Sequence, residues 1–433
     1  MKLCYASHRL LESIFFRQSR HRCLSTPLQF IQSIQFTQFI MHIHRISQKL
    51  GASLLGALFS GATLLASLPA AAQTLPAPTI QAKSWALYDP ATNRMLGASG
   101  PDERIAPASL TKIMTAYLVC EALHDKRLSP DQMVNVSLNA YRVDKSSSKM
   151  FIDPKVPVSI KDLLYGLIIQ SGNDAAVQLA EAVSGTEEAF AGLMNKKAAE
   201  IGMKNTHFEN ASGLPGPQHY STAADLALLA TRVINDYPEE YKIYSIRDYT
   251  YNHIKQGNRN LLLYSDPTVD GMKTGHVSAS GYNLIASAKR PSSSGEYRLI
   301  AVVDGAASAR DRADAAQKLL SWGYANFEDA KLASKNQVVA TPAVWKGMQN
   351  TVKAGYLQDR YETVTKGSAD KVKTEVVLQN KLVAPIAKGA KIGVAKISFD
   401  GKPLTEVPVV ALEDVPQAGF FARMWDTVRM MFA

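Results

Sequence analysis

Cysteine is scarce in this 433-residue chain: there are three, and Cys4 and Cys23 both fall in the first 40 residues. Beyond residue 72 only Cys120 is left, so no internal disulfide can form there and a disulfide-stapled scaffold is excluded. Histidine is also sparse. Five of the nine lie past residue 72 (His124, His207, His219, His253 and His276), none at metal-ligand spacing, and no His-Glu-x-x-His or Cys-x-x-Cys occurs there. Zinc chemistry therefore lacks its ligands, and neither a metal nor a cofactor is expected. Gly-x-Ser-x-Gly is missing too. With 20% charged and 46% hydrophobic residues the composition is that of a globular protein, which excludes disorder and collagen, and the length suits two domains.

The formal net charge of +10 is unevenly placed. Residues 1–72 hold seven Lys and Arg (Lys2, Arg9, Arg17, Arg20, Arg22, Arg45 and Lys49) against Glu12 alone. More than half of the excess therefore sits in one terminal segment, and a nucleic-acid partner loses its electrostatic support. Within that segment a basic stretch from Met41 to Lys49 precedes an uncharged Leu-, Ala- and Gly-rich run from Leu50 to Leu68, then Pro69-Ala-Ala-Ala72. This is the layout of a secretory signal peptide over 41–72, cleaved after Ala72. A retained membrane helix is the rival, disfavoured because small residues dilute the apolar run. Residues 1–40 carry no interpretable pattern, and Met41 is the expected translation start.

Past the leader, Ser84 to Leu96 reads as two short strands joined at Asp89–Asn93. A helix then opens near Ala108 or Ser109, with Leu110, Ile113, Met114, Tyr117 and Leu118 at helical spacing; Cys120 shares that stripe and reads as core. Further helices are expected over Val158–Gln170, Ala175–Val183 and Glu187–Ile201, the first two broken by the Ser171-Gly-Asn-Asp174 turn. Strands follow over Thr268–Thr274, Gly281–Ala288 and Tyr297–Asp304, the last two linked by Pro291–Gly295, and a helix over Arg312–Phe327. Strands at both ends with helices between give an α+β layered domain ending near residue 330. From Gln337 to Leu412 alternating runs and the Asp400-Gly401 hairpin signal predict a small all-β domain. In the tail, Phe420, Phe421, Met424, Trp425, Val428, Met431 and Phe432 share one helical face, with Arg423, Asp426 and Arg429 off it. That is the form of an interfacial amphipathic helix, a membrane surface being preferred over docking on the β domain as the cover for the stripe.

Hydrolysing an amide through a covalent intermediate needs a nucleophile, a base and donors for the oxyanion. Ser109-Leu-Thr-Lys112 puts a hydroxyl and an amine on one face of a helix, near its positive end. Ser146-x-x-Lys149 and Ser368-x-x-Lys371 have the same form, but only Ser109 opens an apolar helix able to bury the lysine. Ser171-Gly-Asn173 is matched by Ser137-x-Asn139 and Ser334-x-Asn336, and any one such triplet is by default a polar loop. Lys273-Thr-Gly275 occurs once, on a predicted strand where glycine lets a ligand approach the backbone. The ordered set Ser-x-x-Lys, Ser-x-Asn, Lys-Thr-Gly is what carries the inference. Asp and Glu pairs are scattered and read as solvated surface.

With these motifs the chain resembles the penicillin-binding proteins and serine β-lactamases, whose motif set takes a related form. It is most similar to the low-molecular-mass D-alanyl-D-alanine carboxypeptidases of the penicillin-binding protein 5/6 group. Pro107–Thr115, Gln170–Ala176, Val269–His276, Lys204–Phe208 and Lys318–Gly323 carry the likeness, which runs from about residue 80 to the C-terminus. The segment between Val134 and Met150 is shorter than the group's pattern.

The resemblance implies a transpeptidase/β-lactamase-like antiparallel sheet with helices over 73–330, a β-sandwich domain over 331–415, and an amphipathic anchor over 416–433. It implies a serine-type carboxypeptidase that removes the terminal D-alanine from peptidoglycan stem pentapeptides and is inhibited by β-lactams. Ser109 would be the nucleophile, Lys112 its base, and Ser171 a proton relay, with burial and the charge of Lys273 lowering the pKa of Lys112. Asn173, Lys273, Thr274, Gly275 and His276 would bind substrate, the oxyanion held by the main-chain N–H groups of Ser109 and His276. Thr274 and Arg312 would take the free carboxylate, an arginine fork matching that group. The enzyme would work on the periplasmic face of the inner membrane, held peripherally by residues 420–432. A serine β-lactamase, a D,D-endopeptidase and a catalytically silent wall-binding protein are the alternatives.

Overall fold

The computed structural model describes residues 75–432. The expected extension over 1–40 and signal peptide over 41–72 lie outside the described residues. Five antiparallel strands form the central sheet, in the order Arg94–Ser99, Ser84–Asp89, Gly295–Ala306, Gly281–Ser292, Val269–Val277. The strand bearing Lys273-Thr-Gly275 is thus an edge.

Alternation along these strands builds two cores. Ala86, Tyr88, Ile285, Ile300 and Val302 point to a helical layer, whose centre is the helix Lys112–His124. Trp85, Leu87, Leu284, Ala286, Leu299, Ala301 and Val303 point to the other face, where the helix Ala309–Asn326 packs. Successive side chains leave opposite faces of a strand, so a strand covered on both sides needs continuous apolar character. Trp85–Tyr88 meets that need, and all six residues of Ser84–Asp89 are buried. Cys120 lies in the helical core at 2% exposure.

Several boundaries differ from the sequence reading, for local reasons. Pro291 and Ser292 continue their strand opposite Glu296 and Gly295, leaving a two-residue turn instead of a five-residue link. The edge strand's pairing stops at Ala288, so the missing N–H of Pro291 breaks no ladder on that side. The last helix of the catalytic layer starts at Ala309, before Arg312, because the Ser308 hydroxyl caps it by accepting from the Asp311 N–H. Val158–Gln170 is a short strand, the helix Ile160–Tyr165 and a wider turn over Gly166–Gln170. The helix Ala223–Asp236 lies outside every pattern read from the sequence, yet the Thr222 hydroxyl caps it through the Asp225 N–H.

The β region begins with Phe327–Ala333 paired to Arg360–Thr365, and continues as a five-stranded sheet ending in the Lys391–Phe399 and Lys402–Ala411 hairpin. Asp400 and Gly401 both take positive φ at its turn, as a tight hairpin of this kind requires. Asp89, fully buried, accepts from the Thr363 hydroxyl at 2.6 Å while Arg94 donates to the Thr363 carbonyl, so the first hairpin of the central sheet is clamped to the β region.

The tail forms a helix over Phe420–Arg429. It meets the β region with its polar edge: Asp426 accepts from the Lys346 N–H at 2.7 Å, and Arg429 lies over the Trp345 ring. All seven apolar residues named above face outward, Phe421 at 78% exposure and Trp425 at 65%. Docking on the β domain therefore does not cover the stripe. Among the described residues no helix is long and apolar enough to cross a membrane.

Candidate active site

Ser109 sits in a 3-10 turn, Ala108–Thr111, that leads into the Lys112–His124 helix; the expected α-helical start is displaced by one turn. Ala108 takes φ +52°, a left-handed conformation uncommon without glycine, and such outliers gather at functional sites. Gly213 makes the turn possible, because a Cβ there would collide with the Ala108 carbonyl oxygen. Gly275 has the same role from the edge strand: its Cβ would stand 2.9 Å from the Pro107 oxygen.

Lys112 is 1% exposed, and its Nζ has three neighbours: Ser109 Oγ at 3.0 Å, Asn173 Oδ1 at 2.7 Å and the Ser212 carbonyl at 2.6 Å. Burial pulls its pKa down to about 7, the Arg259 guanidinium adds to the effect and Asp174 opposes it. A neutral amine has two hydrogens and one lone pair. Asn173 Oδ1 and the Ser212 carbonyl can only accept, so they take the hydrogens. The lone pair is left for Ser109, the one neighbour with a proton to give.

Ser171 follows the Gly166–Gln170 turn in a left-handed conformation, φ +61°, and its Oγ accepts from Lys273 Nζ at 2.9 Å. Lys273 also donates to the Thr274 carbonyl. It is held well below the usual lysine range, first by burial and then by Lys112, Arg259 and Arg312. The sequence assigns the neighbouring charge that lowers Lys112 to Lys273. Arg259 adds its charge beside Lys112, and the two buried amines repel each other.

Arg312 reaches the same place from its helix, donating to the carbonyls of Gly275 at 2.9 Å and Asn283 at 3.3 Å, with its guanidinium beside the Tyr282 ring. Burial lowers it to about 10, against the pull of Tyr282. The cleft encloses about 650 Å³, and Ser109, Ser171, Asn173, Thr274, Gly275, His276 and Arg312 all line it. Lys112 and Lys273 lie buried behind that lining.

A family model described as D-alanyl-D-alanine carboxypeptidase, peptidase S11, matches residues 71–308. The chain belongs to this family. The model of the penicillin-binding protein 5 C-terminal domain matches residues 327–417. The D-alanyl-D-alanine carboxypeptidase DacC of Escherichia coli K12 is 41% identical over 369 residues, which cover 84% of this chain and 91% of that protein. Penicillin binding protein 5 from Haemophilus influenzae superposes with a TM-score of 0.73 at 42% identity, over 79% of this chain and all of that one. Penicillin-binding protein D2 from Listeria monocytogenes, solved in its ampicillin-bound form, matches with a TM-score of 0.52 at 32% identity, over 58% of this chain and all of that one. This S11 peptidase is a serine-type, penicillin-binding D-alanyl-D-alanine carboxypeptidase of the penicillin-binding protein 5/6 type.

Several residues of the S11 site escaped the motifs. Arg259 lines the cleft, donates to the Gln170 carbonyl at 2.8 Å and bears on both lysines, yet in sequence it is one arginine between two asparagines. The Ser212 carbonyl is a backbone group and leaves no trace in residue types. Its position comes from Asn210, whose side-chain oxygen accepts from the N–H groups of Ser212, Gly213 and Leu214. Asn-x-Ser-Gly is a turn signal that could have been read. His219 ties this loop to the nucleophile turn. Its Nδ1 accepts from the Glu209 N–H, so Nε2 carries the hydrogen and donates to Thr111 Oγ1 at 2.8 Å. Burial, with His207 second, lowers it to about 4, and it stays neutral at working pH.

Proposed function

We propose that Ser109 attacks the carbonyl of the terminal D-alanyl-D-alanine amide, with Lys112 as its base. The observation carrying this reading is the set of three contacts at Lys112, which reserves its lone pair for the serine proton. The serine oxygen forms a bond to the carbonyl carbon, its proton passes to Lys112, and electron density moves onto the carbonyl oxygen. Collapse expels the D-alanine amine, which needs a proton; Ser171, bonded to Lys273, relays it. Water then attacks the acyl-enzyme by the same path in reverse and returns Ser109.

The main-chain N–H groups of Ser109 and His276 hold the oxyanion. Ser109 is the second residue of a 3-10 turn, where the N–H has no partner within the turn. Thr274 and Arg312 receive the substrate carboxylate, and Asn173 holds Lys112 while facing the substrate backbone. The bound carboxylate also raises the pKa of Lys273 toward its charged form, leaving Lys112 the neutral amine of the pair.

We further propose that the chain is exported and rests on a membrane through residues 420–432. The outward aromatic and aliphatic face, on a helix that also carries Arg423 and Arg429, supports this reading.

The decisive experiment joins intact mass spectrometry after penicillin treatment with D-alanine release from a pentapeptide. Wild type gains the mass of the antibiotic and releases D-alanine; Ser109→Ala does neither. An unmodified wild-type protein overturns the assignment, and rapid penicillin turnover without D-alanine release makes it a β-lactamase.

A further inference from the structure

A second cavity, of about 560 Å³, lies beyond the Asp144–Lys149 segment from the cleft. The two share that segment as a wall: Ser146, Ser147 and Ser148 line the cleft, while Lys145 and Lys149 line the second cavity together with Arg142. Among the described residues none of these three cations has an acidic partner within salt-bridge distance. The acids close by are already engaged. Asp174 accepts from the N–H groups of Met150, Phe151 and Ile152, Asp153 from Lys155, and Asp144 from Ser146. The cavity lining carries these three cations against two carboxylates, Asp153 and Asp174, so a positive excess is left.

Two aromatic rings complete the cavity, Tyr141 at 51% exposure and Phe151 at 45%. Phe151 holds φ +68°, which a bulky residue adopts only when its surroundings impose it. Asp174 grips its N–H, and Asn252, from the turn of the Asp248–Gly257 hairpin, donates to its carbonyl. The same Asp174 follows Asn173, which holds Lys112. The floor of the cavity and the base of the cleft are therefore built on consecutive residues.

We propose that this cavity is a second substrate subsite. It takes the carboxylate-bearing part of the stem peptide upstream of the D-alanyl-D-alanine unit, with Arg142, Lys145 and Lys149 on the carboxylates and Tyr141 and Phe151 against its apolar stem. The assignment rests on the peptidase reading above. An extended peptide advances about 3.3–3.6 Å per residue, so two or three residues past the scissile bond carry the chain over a wall one segment thick. Unpaired cations beside exposed rings suit an anionic, partly apolar ligand, and a volume of this size suits a group of a few residues.

The test compares two substrates on wild type and the triple variant Arg142→Ala/Lys145→Ala/Lys149→Ala. One is a short N-acylated D-alanyl-D-alanine whose only charge is its C-terminal carboxylate; the other is the full pentapeptide with its free upstream carboxylates. The triple variant should lose on the order of tenfold in kcat/KM for the pentapeptide, mostly through KM, while the short substrate and the rate of penicillin acylation stay within about twofold. Raising ionic strength should raise KM for the pentapeptide more in wild type than in the variant. Equal losses on both substrates would reduce the segment to a wall of the cleft and overturn the subsite, as would no loss on either. Penicillin acylation of the variant at the wild-type rate shows that it is folded. A wild type that processes neither substrate refutes the peptidase reading itself, which is a different outcome from either failure of the subsite.

Discussion

Lys112, Lys273 and Arg312 are between 1% and 5% exposed, and burial lowers the pKa of each. Beside the tail helix, Lys346, Lys381, Arg423 and Arg429 keep contact with water. In the functions proposed for them, both regions gather cations where an anionic group is to come, but burial gives them different work. In the cleft, loss of solvation turns an ammonium into an amine near neutral pH and makes acid–base chemistry available. At the tail, solvated charges act only by attraction, which salt screens.

The comparison breaks first at Ser109 and Lys112. Ser109→Ala should abolish both D-alanine release and penicillin labelling. Lys112→Ala should lower kcat by ~10³-fold or more, because no other neighbour of Ser109 can take its proton. Labelling at the wild-type rate in Lys112→Ala would show that another group is the base.

A smaller effect separates burial from neighbouring charge. Lys112 must be neutral to act, so kcat/KM should rise with pH through a limb centred near its pKa of about 7. Arg259 holds that value down; without it the lysine keeps its proton to higher pH. Arg259→Ala should shift the limb upward and cost ~3–10-fold at neutral pH, recovered in large part near pH 9. A uniform loss at every pH would mean that Arg259 serves substrate binding alone.

Backbone fit comes next. Gly213 has φ +85° and no room for a Cβ beside the Ala108 carbonyl. Gly213→Ala should destabilise the protein by ~1–3 kcal/mol, seen as a lower Tm, and reduce penicillin acylation through displacement of the Ser109 turn. An unchanged Tm would show that the turn has slack.

What could be read from residues alone divides along the same physical line. That Ser109, Lys112, Ser171, Asn173 and Lys273 meet was legible because the motifs are made of side-chain types at short spacing. The sheet was legible because Leu284–Ala286 and Leu299–Val303 show their burial as continuous apolar runs. The Ser212 carbonyl was hidden because backbone groups have no letter of their own, and Arg259 because its meaning depends on a lysine far away in sequence. The Ala223–Asp236 helix was missed although Thr222-x-x-Asp225 marks its start. The outward turn of the tail was half legible: the stripe could be seen, while the Asp426 contact that faces its polar edge to the β region could not.

The smallest effect on catalysis should come from the tail, and that is what makes it informative. Removing residues 416–433 should leave turnover of a soluble pentapeptide within about twofold, because among the described residues none past Arg312 lines the cleft. The same truncation should abolish cosedimentation with anionic vesicles, and Phe421→Ala/Trp425→Ala should weaken it about tenfold through lost apolar burial. Asp426→Asn keeps the apolar face and the charges around it but weakens the acceptor for the Lys346 N–H. If the face alone drives association, this variant binds vesicles like wild type. Should its binding fall as far as that of the aromatic double variant, the polar latch that presents the face to the bilayer matters as much as the face itself. In that case the tail works as a rigid extension of the β region instead of as a free helix on a tether.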